Sequence, residues 1–155
     1  MKISTKGRYG LQLMVEIAYL SEGEKTVSVS TLAEHLGVGE KYVEQIIASL
    51  NKAHYIRSKR GPKGGYLLAA HPNSITVGMI LRCLEKSMAL SDCVGDGGES
   101  PCQRKDRCVT VSVWRKMKAA MDNVMDSITI YDLVQQQKEM DAGRLYLEEG
   151  SRSDC

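Results

Sequence analysis

Residues 38–67 read VGEKYVEQIIASLNKAHYIRSKRGPKGGYL, and two patterns meet in them. In the first half Val43, Ile46, Ile47 and Leu50 recur at i, i+3, i+4 and i+7, the spacing that puts apolar side chains on one face of a helix. Lys41, Glu44, Gln45 and Ser49 fall off that stripe and are left for solvent or a ligand. Residues 54–58 (HYIRS) suit a short strand. The run Arg60-Gly61-Pro62-Lys63-Gly64-Gly65 then imposes a turn, and Tyr66-Leu67-Leu68 suits a returning strand. A helix with a polar outer face followed by a basic hairpin has the form of a winged helix-turn-helix. In that fold the helix enters a major groove, and the hairpin tip reaches an adjacent minor groove or phosphates.

The flanking sequence completes the unit. Ser30 is a candidate N-cap for a helix over 31–36, and Gly37 suits the left-handed position that ends one. Two short helices joined by a few residues with a glycine make a helix-turn-helix. Ahead of it, VSV at 27–29 suits a short strand and 21–25 a turn. A helix over 7–21 is apolar around most of its circumference through Leu11, Leu13, Met14, Val15, Ile17, Ala18 and Leu20, which marks a buried helix. Downstream, His71-Pro72-Asn73-Ser74 breaks the chain and Thr76 can cap a helix over 77–85. From 109 to 127, Val109, Val113, Met117, Ala120, Met121 and Val124 step by three or four and continue to Ile128. This stripe is too long to bury on so small a domain, so a homodimer seam is its natural partner. Thr129 and Asp132 form a candidate capping box for a last short helix, 130–137. The polar stretch 138–155 reads as a flexible C-terminal tail.

The expected architecture is therefore mainly α with a small β wing, one domain over residues 2–132. It comprises a helix-turn-helix at about 28–52, a wing at 55–68, a cysteine loop at 87–108 and a dimerisation helix at 109–127. An apolar content of 43% and a charged content of 26% fit a soluble globular chain rather than a disordered or membrane one. No apolar run approaches the roughly 18 residues of a membrane span. No apolar segment with a small-residue cleavage site follows MKISTKGR, so a cytoplasmic location without a membrane partner is expected. The net charge of +2 hides an asymmetry. Residues 1–71 carry ten basic and six acidic side chains, and residues 72–155 carry eleven and thirteen. From Lys52 to Tyr66 there are five basic residues and no acidic one, the kind of local concentration that phosphate binding requires.

Cys93, Cys102 and Cys108 follow the pattern C-x8-C-x5-C in a Gly-rich stretch, SDCVGDGGESPCQRKDRC. In a reducing compartment such thiols point to metal or redox chemistry rather than to structural disulfides. Thiolates hold soft metals and iron–sulfur clusters. A glycine-rich backbone lets them converge, and Arg104, Lys105 and Arg107 can offset the negative charge of such a centre. The short C-x2-4-C hooks usual for zinc are absent. An iron–sulfur cluster (2Fe–2S favoured, 4Fe–4S possible), another metal, and thiol redox sensing all remain open on these residues alone. Cys83 lies on an apolar helix and is expected in the core; Cys155 lies at the chain end. No glycine-rich phosphate loop follows a strand, and no Ser/His/Asp or paired-carboxylate arrangement is evident, which argues against an enzyme. An iron–sulfur carrier or redox protein is the alternative of another class.

Together these residues resemble the Rrf2 family of bacterial winged-helix transcriptional regulators, and within it the iron–sulfur cluster regulators. The resemblance rests on Lys6-Gly7-Arg8-Tyr9, Tyr42-Val43-Glu44-Gln45, Arg60-Gly61-Pro62 with Gly64-Gly65-Tyr66-Leu67-Leu68, the three cysteines, Trp114 and Ile128-Thr129, and spans about residues 2–137. It implies a homodimer of crossing long helices acting on a double-stranded DNA operator. Lys41, Tyr42, Glu44 and Gln45 would then lie at the DNA-facing start of the reading helix, Arg60 at the wing tip with Lys63 beside it, and Cys93, Cys102 and Cys108 at the cluster. The chemistry suits these roles. Gln45 can pair with adenine, Lys41 with guanine or phosphate and Glu44 with cytosine, while Arg60 fits a narrow minor groove. Two departures stand out. The first cysteine gap is longer than in the cluster regulators, and the position expected to hold a ligating His is Val111. Arg8 occupies the place of the acidic ligand of related nitric-oxide sensors. The fourth ligand is thus open among His35, His54, His71, Glu34, Asp92 and a small exogenous thiol. Other members of the family sense thiol metabolism without a cluster by docking a metabolic enzyme, which gives the second reading.

Overall fold

Ser4 sets the start of the first helix: its backbone is extended and its hydroxyl accepts from the Gly7 N–H. The computed structural model describes residues 2–21, 25–94, 102–104 and 107–151, the last eight of these by their backbone alone. Six helices and one hairpin follow in order: α1 (Thr5–Leu20), α2 (Val29–Leu36), α3 (Glu40–Lys52), β1 (Ile56–Lys59), β2 (Gly65–Leu68), α4 (Val77–Leu84), α5 (Val111–Ser127) and α6 (Ile130–Ser151). A 3-10 turn, Pro72–Ser74, precedes α4.

The apolar stripes read from the sequence meet around α1. Leu13, Met14 and Ile17 of α1, Leu32 of α2, Val43, Ile46 and Leu50 of α3, Ile80 of α4 and Ile130 of α6 are fully buried in one cluster. Each such side chain contributes roughly 1.5–3 kcal/mol by leaving water. α1 and α4 approach closely because Gly10 has no side chain; a Cβ there would overlap Leu84. The same economy at Gly7 makes room for the Glu85 carboxylate, which accepts from both the N–H and the hydroxyl of Ser4 at 2.9 Å. A second, smaller cluster of Val77, Leu81, Met88 and Met125 joins α4 to α5. Arg82 strengthens this joint by donating to Asp126 at 2.7 and 2.8 Å and to Asp122 at 3.3 Å.

Several boundaries differ from the expectations. α2 begins at Val29 and is capped by Ser28, not Ser30, because the single bridge between Val27 and Tyr66 already extends the chain at Ser28. That bridge is all that remains of the expected strand at 27–29. β1 starts at Ile56, after His54 has turned the chain in a left-handed conformation (φ 60°). α5 starts at Val111, and Val109 before it is 85% exposed. Cys83 is half-buried and packs against the core cluster, as a side chain on an apolar helix should, and burial raises its thiol pKa. The largest difference is α6, which continues past Gln137 to Ser151 where the last helix was expected to end at 137. Its extension is tied to α1: the Tyr19 hydroxyl donates to Asp141 at 3.0 Å, and Gln137 donates to the other oxygen of the same carboxylate. The expected turn at 22–24, the part of the cysteine loop at 95–101 and 105–106 (with Lys105), and Cys155 lie outside the described residues. Among the described residues no helix is long and apolar enough to cross a membrane.

Candidate nucleic-acid interface and the cysteine segment

α2 and α3 form the helix-turn-helix. Gly37 ends α2 in the left-handed conformation (φ 64°), and its N–H bonds back to the carbonyl of Glu34. Three residues later α3 starts, with Gly39 at its N-cap and no side chain capping it. Val43, Ile46, Ile47 and Leu50 are buried, so α3 turns its other face outward. Lys41, Glu44 and Gln45 are exposed on that face, and Tyr42 is half-buried at its edge. The Tyr42 ring stands edge-on to Tyr9 of α1, with centroids 5.9 Å apart and planes at 89°. From α1, Lys6 also donates to the Ser49 hydroxyl at 2.8 Å. The outward face of α3 is therefore fixed from behind by the family-like segment at residues 6–9, a support that the sequence reading left unexplained.

β1 and β2 pair antiparallel, with Ile56 opposite Leu68 and Lys59 opposite Gly65. Ile56 anchors the hairpin in the core with Tyr66 and Leu68 packed against the same cluster, while Arg57, Lys59, Arg60 and Lys63 are exposed. Gly61 takes a positive φ of 122° at the tip. The reading helix and the wing thus expose Lys41, Glu44, Gln45, Arg60 and Lys63 without an ion pair to any of them among the described residues. Sequence reasoning missed Lys25 and counted Lys59 only within the basic run from Lys52 to Tyr66. Both line a cleft at the base of the wing together with Thr26 and Lys63.

The cysteines are arranged differently from the interface. Cys93, Cys102 and Cys108 are each partly exposed. Among the described residues no three His, Cys, Asp or Glu side chains stand close enough together to hold one metal ion. The donor types suit a soft metal or a cluster, but their placement in this conformation does not. Cys108 is the most distinctive of the three. It lies three residues before α5, 3.1 Å from the Thr110 hydroxyl. That hydroxyl, with the backbone N–H groups of Thr110 and Val111, lowers the thiol pKa and favours the thiolate. Val111 is buried and faces the core. Of the open candidates for a fourth ligand, His35 pairs with Glu16 at 3.0 Å and His71 accepts from the Asn73 N–H, so both are engaged in holding the fold.

The outer side of α5 carries an apolar stripe. Val113 is 49%, Met117 46% and Val124 58% exposed, and Trp114 is also exposed. Among the described residues nothing in the protomer covers them.

Known proteins share this arrangement. The Rrf2 family profile, described as an iron-dependent transcriptional regulator, matches residues 3–136. The HTH-type transcriptional regulator IscR of Escherichia coli O1:K1 / APEC is 33% identical over 154 residues, 99% of this chain and 93% of that one. The structure of T. potens IscR aligns with a TM-score of 0.71 at 40% identity, covering 90% of each chain. The structure of CymR (YrzC), the global cysteine regulator of B. subtilis, aligns with a TM-score of 0.71 at 37% identity, covering 88% of this chain and 98% of that one. These relatives are transcriptional regulators rather than enzymes. On the winged helix-turn-helix fold, the matched span and these identities, the chain belongs to the Rrf2 family of transcriptional regulators.

Proposed function

We propose that this regulator is a homodimer that binds a double-stranded DNA operator through α3 and the wing, under the control of its cysteine segment. The observation that carries the reading is the exposed set of Lys41, Glu44, Gln45, Arg60 and Lys63, the first three on a helix whose opposite face is buried and the last two on a hairpin anchored by Ile56. Glu44 and Gln45 read base edges, Lys41 and Lys63 neutralise phosphates, Tyr42 fixes the start of the helix and Arg60 enters the minor groove. The exposed stripe of α5 pairs with its copy, so that two reading heads meet two half-sites.

An iron–sulfur cluster on Cys93, Cys102 and Cys108 is the form of control that the donor types and the family support. Its fourth ligand comes from outside the family pattern, since Val111 is buried and apolar. In this conformation the three thiols do not converge on one point. A second reading keeps the DNA binding and uses the thiols alone. Two observations favour it: the lowered pKa of Cys108 and the likeness to a cysteine regulator. On that reading Cys108 is the thiol that responds first, and a metabolic enzyme is a possible docking partner.

One preparation separates the two. Purified without air, the cluster form is coloured, contains iron and sulfide in equal amounts, and loses both in Cys102→Ala. A colourless protein without iron leaves the thiol reading, which then requires that mild peroxide change the number of titratable thiols and the affinity for DNA together. Loss of promoter binding in Arg60→Ala tests the part common to both.

A further inference from the structure

Beside the wing lies a cleft of about 420 Å³ lined by Lys25, Thr26, Lys59 and Lys63. The lining comes from three parts of the chain: the connection ahead of α2, the end of β1 and the wing turn. Two contacts hold these parts in place. Val27 and Tyr66 exchange both backbone hydrogen bonds, at 3.0 and 2.8 Å. The Thr26 hydroxyl donates to the Lys63 carbonyl at 2.6 Å. Lys59 stands opposite Gly65 in the hairpin register. A Cβ at Gly65 would lie 2.5 Å from the Val27 carbonyl oxygen, so the missing side chain is what lets the connection close against the wing.

Among the described residues no carboxylate lines this cleft, and none of its three lysines forms an ion pair. Like charges gathered around one opening repel one another, and an anion placed among them removes that repulsion. Lysine ammonium groups are compact point charges on flexible stems, suited to a phosphate rather than to the flat edge of a base. Thr26 has already committed its hydroxyl proton to Lys63, which leaves the ammonium groups as the donors.

We propose that this cleft seats one backbone phosphate of bound DNA, with Lys25, which lies outside both helix-turn-helix and wing, as its third cation. The inference rests on the DNA-binding reading above. A seat of this kind fixes the wing's depth and angle on the duplex without reading sequence.

The test measures binding of a short mixed-sequence duplex by fluorescence anisotropy between about 50 and about 200 mM KCl. One neutralised phosphate contributes a slope of about 0.9 in log K against log salt. The triple variant Lys25→Gln/Lys59→Gln/Lys63→Gln is therefore expected to lose about one unit of slope. Its affinity should fall by the same factor on duplexes of different sequence, with an unchanged circular dichroism spectrum. Lys25→Gln alone is expected to weaken binding in the same sequence-independent way. An unchanged slope overturns the proposal. So does a fall of about three units, which would place the lysines on separate phosphates. Saturable shifts of the lysine side-chain NMR signals with inorganic phosphate at low concentration also overturn it, since the cleft would then be a site for a free anion. If the wild type itself binds the duplex without salt dependence and Arg60→Ala changes nothing, the DNA-binding reading fails. A steep, Arg60-dependent wild type matched by the triple variant isolates the failure to the cleft.

Discussion

Truncating Val124 to alanine should weaken the proposed dimer by about 20-fold. The residue is 58% exposed in the protomer, and a seam along α5 would cover that share. Two methyl groups fully removed from water contribute about 1.6 kcal/mol, at about 0.8 each. The exposed share reduces this to about 0.9 kcal/mol per protomer. A two-fold seam presents the residue from both sides, so the dimer loses about 1.8 kcal/mol, and about 1.4 kcal/mol is a factor of ten in an equilibrium constant. Sedimentation equilibrium over a dilution series measures the dissociation constant directly. Asn123→Ala, next to it but off the stripe, is the control and should leave the constant unchanged. A Val124→Ala dimer as tight as the wild type would refute the reasoning, as would an equal loss in Asn123→Ala, because the stripe would then not be the contact.

Three further outcomes follow from contacts described above. Cys108 should be alkylated by iodoacetamide at neutral pH faster than Cys83, whose thiol is raised by burial, and Thr110→Val should slow it, as read by peptide mass spectrometry. Asp126 accepts from Arg82, which holds its pKa below the ordinary carboxylate value. Its contribution is therefore complete above the unfolded-state pKa and disappears as acid titrates through the lower folded-state value. Asp126→Asn should flatten the stability curve only in that acidic window, by less than about 1 kcal/mol because the pair is half-exposed; a loss that persists unchanged through strong acid would exclude this cause. Tyr9→Leu should lower stability in urea by about 0.5–1.5 kcal/mol beyond the change in buried area, as an edge-on ring pair is lost. A double-mutant cycle with Tyr42→Leu should show that coupling, and the single variant should also weaken DNA binding.

The reading unit was legible because its signals are local. A helix repeat names the four buried positions of α3, and Gly37 marks its own left-handed turn. The capping pair at the start of α6 was equally plain: Thr129 and Asp132 bond each other's backbone N–H groups at 2.8 and 3.2 Å. What escaped depends on partners distant in the chain. The extension of α6 past Gln137 rests on Tyr19, 122 residues from Asp141, which no pattern within the tail announces. Ser28 displaced Ser30 as the cap because Tyr66 holds Val27, and the cationic cleft needed that same bridge to bring Lys25 beside Lys63. For the cysteines, spacing named the chemistry of the donors but not their separation, and the described residues do not bring them together.

Gly78 gives α5 a pivot. A Cβ on this α4 residue would collide with the Asp126 carboxylate near the far end of α5, so the missing side chain leaves room for that carboxylate and its Arg82 partner between the two helices. From that point a helix of 17 residues, at about 1.5 Å of rise each, is a rod about 25 Å long with Cys108 just beyond its other end. Tilting such a rod by about 5° swings the sulfur end by about 2 Å while the pivot hardly moves. A small shift at this contact is enlarged in the same ratio, which ties the position of Cys108 to the packing of Asp126 and Arg82 against α4.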